Sequence, residues 1–172
     1  YFQGKAWWNK GLTPEYMGKA RGLFERALSL DPLNIEALVG VASVDMAVAG
    51  AFITDDRAAR LAKAETTLMK ALSHVPNHAL AHMLLGCVQM YTNRAAQGVA
   101  ECEHALALDR NLADAHSFIG LGKYLMGRGA ETEAHTARVA LAQVSTREAV
   151  RLITENRPFD ALAHLARALR AS

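Results

Sequence analysis

The chain has few aromatic residues, 6% of its 172 positions, with only two cysteines and four prolines. Cys87 and Cys102 are too few for the disulfide framework of a small secreted domain, so both read as reduced thiols of a cytoplasmic protein, set inside helices as small buried hydrophobes. An excess of one charge is missing too: 19 Lys and Arg face 17 Asp and Glu, for a net +2. This balance provides no basic field for nucleic acid and no acidic tail. A long uninterrupted apolar run is also absent. The nearest candidate, Ala37 to Thr54, carries Asp45 at its centre, and a carboxylate there costs about 2.5–3.5 kcal/mol in a bilayer. It reads as a buried helix followed by a loop, and no membrane association is expected. Low charge and 51% apolar content exclude intrinsic disorder. What is abundant is Ala, followed by Leu, a composition that favours helix over sheet. Residues 1–4 (Tyr1-Phe2-Gln3-Gly4) resemble the tail of an engineered protease-cleavage linker, an expression-tag remnant, so the natural chain is expected to start near Lys5.

Self-comparison gives the strongest signal. Ala20 to Pro32, Ala64 to Pro76 and Gly98 to Arg110 align, with Ala27-Leu28, Ala71-Leu72 and Ala105-Leu106 at the same point in each. A second set, Ala37-Leu38, Ala81-His82 and Ala115-His116, is spaced identically, with the first interval longer than the second by ten. The shorter interval, from Ala71 to Ala105, gives a unit of about 34 residues, a period that marks a repeat architecture. The ten extra positions fall between Gly50 and Arg60 in one copy.

Each unit reads as a helical hairpin. Asn34, Asn77 and Asn111 stand where they could cap a first helix, just after Pro32 and Pro76 in two of the copies. Gly50, Asn93 and Gly127 or Gly129 are expected to break the two helices of a hairpin. In the insertion, Thr54-Asp55-Asp56 offers caps for a helix start. Small residues recur where paired helices must approach: Ala42, Gly86 and Gly120 on first helices, and Ala20, Ala64 and Gly98 on second helices. At the C-terminal end, Ser145-Thr-Arg-Glu148 resembles a capping box, Asn156-Arg-Pro158 a turn, and Phe159 to Arg170 an amphipathic helix. The expected organisation is thus repeats over 5–144, with a longer loop or helix near 50–60, and an atypical short hairpin over 145–172 that could cap the stack.

On this unit length and its small, large apolar, Ala-Leu, Asp-Pro order, the chain resembles the tetratricopeptide-repeat family over roughly Thr13 to Leu141. The resemblance implies an all-α, right-handed α-solenoid of stacked antiparallel helix pairs whose concave face, lined by first helices, binds a partner protein or peptide. The order Trp7-Trp8-Asn9-Lys10, Thr13-Pro14-Glu15 and Phe24-Glu25-Arg26-Ala27-Leu28 also resembles the repeat regions of bacterial signalling proteins of the nucleotide-cyclase type. That implies, as the alternative, a regulatory or dimerisation segment of a larger enzyme, with a second copy of the chain as a further candidate partner.

The matching groove positions are Val39, Ser43, Met46, Met83, Cys87, Met90, Tyr91, Ser117, Leu121 and Tyr124, stripes at i, i+4 and i+7 on successive first helices. The expected groove is apolar and adaptable. Asp45, Gln89 and Lys123 form a further in-register series that could run as a polar line through the stack. His74, His78 and His82 have partial metal-chelating spacing, and Cys87, Cys102 and His104 a partial nucleophile set. No third ligand beside His78 and His82 is fixed by the sequence, the thiols lack an orienting group and an oxyanion site, and there is no phosphate-cradling loop. No catalytic residue, cofactor or metal is therefore expected, and the chain reads as a non-catalytic protein–protein interaction scaffold.

Overall fold

The computed structural model describes residues 1–50, 55–155 and 158–171, with side chains in the last stretch from 161 to 170. The caps expected from Thr54, and the turn at Asn156 and Arg157, lie outside these residues. In order the helices are α1 (Phe2–Trp8), α2 (Pro14–Leu30), α3 (Ile35–Gly50), α4 (Arg57–His74), α5 (Ala79–Tyr91), α6 (Ala95–Leu108), α7 (Ala113–Thr154) and α8 (Pro158–Ala171). There is no strand among the described residues. The chain divides into two units, Tyr1–Leu125 and Met126–Ser172.

The first unit is an all-α solenoid of stacked antiparallel helix pairs, α1 with α2, α3 with α4 and α5 with α6, followed by the start of α7. Local chemistry sets the helix ends. Thr13 accepts from the Tyr16 amide at 3.2 Å with Pro14 at the first helical position, and Asn34 accepts from the Ala37 amide at 3.0 Å. At α5 the cap is His78, whose Nδ1 accepts from the Ala81 amide at 3.2 Å, rather than Asn77. In the turn before α7, Asp109 folds back on the Asn111 amide at 2.9 Å, an Asx turn that mimics a backbone turn. Trp7 is covered by the ammonium groups of Lys10 and Lys19, 3.7 and 4.4 Å from its ring centre. These cation–π contacts give the Trp7, Lys10 and Lys19 pattern a packing role.

Burial follows the repeat. Ala20, Ala64 and Ala71 are fully buried, as are Leu68, Cys102 and Ala105. Gly86 and Gly98 let α5 and α6 cross at backbone contact. A Cβ on Gly86 would lie 2.6 Å from the Gly98 carbonyl oxygen, and one on Gly98 would lie 2.5 Å from that of Gly86. Phe24 fills a slot between Gly4 and Gly40 in the same way. The described part of the Ala37 to Thr54 stretch lies in α3, buried continuously from Ala37 to Asp45. Among the described residues no helix is long and apolar enough to cross a membrane.

The C-terminal region departs from the expected hairpin register. α7 runs without interruption through Gly127, Gly129 and Ser145, where a turn and a new helix start were expected. Two glycines cost a helix about 1 kcal/mol each, and the alanines at 130, 134, 137, 140 and 142 lower the cost of continuing it. Ser145 therefore lies within the helix and is buried. In the second unit it sits on the α7 stripe with Ala149 and Leu152, and the latter two share a small core with Ala161 of α8. The last hairpin thus uses the far end of α7 as its first arm, not a separate short helix.

Candidate interaction surface

The ten groove positions separate sharply. Val39, Ser43, Met83, Cys87 and Met90 are buried, while Met46 and Tyr91 are half-buried against the same core. Ser117 is exposed, Leu121 is half-buried and Tyr124 is 59% exposed. The reason is visible in the α5–α6 hairpin. Met90 lies against Gly98 of α6 and reaches Gly122 of α7. Cys87 and Cys102 are both buried in this hairpin, and burial pushes the Cys87 thiol above its ordinary value, with Cys102 adding to the effect. The Cys102 thiol also faces the Met83 carbonyl oxygen at 3.8 Å. In this hairpin the predicted groove stripe is the face on which the second helix and the next first helix pack, so these residues are core and not an open groove.

On α7 the equivalent stripe is more exposed. Ala115, Phe118, Ile119 and Leu125 pack on the core shared with α5 and α6, and Gly122 meets Val99 and Met90. The opposite face, with Ser117, Gly120, Leu121 and Tyr124, is not covered in this way, and a Cβ added at Gly120 would meet nothing within 4 Å. Gly120 is the counterpart of Gly86, whose Cβ direction is filled by α6.

The expected polar line is replaced by a cross-brace. Asp45, 1% exposed, accepts from Arg21 of α2 at 2.5 Å and from Arg60 of α4 at 3.1 Å, both on Oδ1. The carboxylate raises the Arg21 guanidinium above its ordinary value. A surface cleft of about 420 Å³ at this point is lined by Arg21, Arg60 and Lys63 and by Glu25, Asp45 and Asp56. Its charges balance, which suits a structural ion network. Gln89 takes no part in it, and Lys123 is exposed on α7. The sequence signal that could have found the brace is an acid at an in-register apolar place, with an Arg one position after Ala20 and another four before Ala64.

The remaining polar groups also tie helices together. Arg94, at the start of α6, makes two parallel hydrogen bonds of 2.8 Å to Glu65 of α4, and they hold the Glu65 carboxyl below its ordinary value. His82 places Nδ1 2.7 Å from Glu101 and Nε2 2.7 Å from the Pro76 carbonyl oxygen, with the His104 ring edge-on at 4.4 Å. His78 meets Glu36 at 3.2 Å. These histidines join α5 to its neighbours, and no group of three metal-ligating side chains is present among the described residues. Arg57 donates to the Ala49 carbonyl oxygen at 3.1 Å and lies over the Tyr91 ring. It thereby satisfies one of the free carbonyls at the end of α3. Burial raises the Tyr91 hydroxyl above its usual value, with Cys87 adding to the effect and Arg57 opposing it.

No protein-family model matches the chain, and no curated protein matches it. Two crystal structures of MamA share its fold. One is 18% identical at a TM-score of 0.52, covering 91% of this chain and 89% of that one. The other is 18% identical at 0.53, covering 99% of this chain and 88% of that one. At this identity the likeness establishes a tetratricopeptide-type all-α solenoid.

Proposed function

We propose that the chain is a non-catalytic protein-interaction scaffold that receives a helical segment of a partner protein on the open face of α7. The observation that carries this reading is the unequal fate of one repeated stripe: Met83, Cys87 and Met90 are buried, whereas Ser117 is exposed, Leu121 is half-buried and Tyr124 is 59% exposed. The face combines an unoccupied glycine notch at Gly120 with an exposed tyrosine. A notch of this kind admits a helix to backbone contact, as in the α5–α6 hairpin. Aromatic anchors of this kind dominate many helix-in-groove contacts. Met46 and Tyr91, also placed in the groove by sequence, retain partial exposure at its edge.

The test replaces exposed residues, because Glu in place of buried Met83 would disrupt the core itself. Leu121→Glu with Tyr124→Glu should leave the helical circular dichroism unchanged and abolish capture of helix-bearing partners by the immobilised protein. Undiminished capture by a folded double variant would refute the reading.

A further inference from the structure

We propose that the helix received at Gly120 is residues 130–144 of a second copy of this chain, so that two molecules complete each other's third hairpin by exchange. This identifies the partner for the α7 face and rests on the reading of that face as a helix-binding surface.

Three observations converge. The first is the second-helix pattern of small residue, apolar residue and alanine at i, i+4 and i+7. It occurs as Ala20-Phe24-Ala27, Ala64-Leu68-Ala71 and Gly98-Cys102-Ala105, and all but the half-buried Ala27 are buried. A fourth copy, Ala130-Ala134-Ala137, follows the third by one repeat less two positions, as a slightly shorter turn would place it. It continues at the same spacing to Leu141 and Val144, 49% and 63% exposed, and Ala130, Ala134 and Ala137 are also exposed. A second-helix face is thus exposed from Ala130 to Ala137, while Leu141 lines a cleft with Ala163 and Ala166 of α8.

The second observation is the empty receiving side. Gly120 occupies the place of Gly86, but where Gly86 meets Gly98 and Cys102, Gly120 meets open space. The third is polar complementarity. His82 of α5 pairs with Glu101 of α6 at 2.7 Å. His116 stands one full repeat after His82, and Glu133 lies as far beyond Glu101 as Ala130 lies beyond Gly98. The register that places Ala130 at Gly120 therefore also brings an acid to a histidine.

The turn that would close this hairpin within one chain, and that exchange leaves open, is encoded as well. In the α5–α6 hairpin the turn residue is Asn93, with φ 67°. Its counterpart one repeat later is Gly127, which can adopt that left-handed conformation without strain but is helical here. Exchange of an identical element between two copies is a low-cost route to a symmetric dimer, because it reuses the helix pairing of the repeat, at the wider crossing that the methyl of Ala130 in the place of Gly98 requires.

The test uses the full chain with Leu121→Cys and Ala134→Cys together, the counterparts of the neighbouring Cys87 and Cys102. The parent chain, whose own thiols are buried, serves as the blank. Under mild oxidation the double variant should form a covalent dimer on a non-reducing gel. Light scattering of the parent should give a concentration-dependent species at twice 18.6 kDa. Glu133→Lys should weaken dimerisation about threefold, and adding His116→Glu should restore it. A disulfide within one chain would show that the hairpin closes on itself, and no disulfide would show that the register is wrong; either overturns the exchange. If either occurs while Leu121→Glu with Tyr124→Glu still abolishes partner capture, the scaffold reading stands without the exchange. If capture also persists, both fall.

Discussion

Gly86→Ala and Gly18→Ala are the same chemical change in the interior of a helix, yet the structure gives them opposite signs. At Gly18 of α2 the new methyl meets nothing within 4 Å. Replacing glycine there should stabilise the protein by about 0.5–1 kcal/mol, chiefly by restricting the unfolded chain. At Gly86 the methyl would stand 2.6 Å from the Gly98 carbonyl oxygen and 2.7 Å from the Cys102 sulfur. The first of these is backbone, which cannot rotate away, so α5 and α6 must separate. Overpacking of this kind costs about 1–3 kcal/mol, and a helix displacement belongs at the upper end. Subtracting the roughly 1 kcal/mol that alanine returns in helix propensity leaves a net loss of about 1–2 kcal/mol. For a chain of this size that lowers the thermal midpoint by about 3–6 °C. Thermal and urea unfolding followed by helical circular dichroism, on Gly86→Ala, Gly18→Ala and Gly22→Ala in parallel, reads the signs directly. A Gly86→Ala protein as stable as Gly18→Ala would refute the backbone crossing of α5 and α6.

Asp45→Ala should destabilise by about 3 kcal/mol, because it leaves two guanidinium groups facing a vacated buried site. Arg60→Met should cost less, since Arg21 still pairs the carboxylate; equal urea midpoints for the two variants would contradict the brace. The Glu65–Arg94 pair gives a pH signature. The folded carboxyl lies below its ordinary value of 4.5, so its stabilisation is fully present above that value. It is lost as pH falls through the depressed one, a contribution on the order of 1 kcal/mol after allowance for partial exposure. Arg94→Met should remove this acid-side dependence, and an unchanged slope of stability against pH on the acid side of that ordinary value would argue against the pair.

Much of this architecture was legible from the repeat because burial of small residues is a local requirement. Ala64, Gly86 and Gly98 sit where helices cross, and nothing larger fits there. The groove was less legible. Position in the repeat places Met83, Cys87 and Met90 on a particular stripe of α5, but the tightness of the α5–α6 crossing decides whether that stripe faces solvent, and two glycines in register draw the helices together. Asp45 posed a different difficulty. Its partners, Arg21 and Arg60, come from the helices on either side of it, α2 and α4, and no helical spacing links such positions. The run of α7 through Gly127 and Gly129 was hidden because glycine permits a turn without imposing one.

Repeats of this kind are often treated as modules to be cut and rejoined at their turns. The Asp45 brace places one joint off limits. Its carboxylate belongs to the hairpin of α3 and α4, but one of its two arginines belongs to the pair before it. A chimaera that brings in a different preceding pair would inherit a buried acid with half its countercharge. A splice between α2 and α3 must therefore carry Arg21 with it, or replace Asp45 with an apolar residue at the same time.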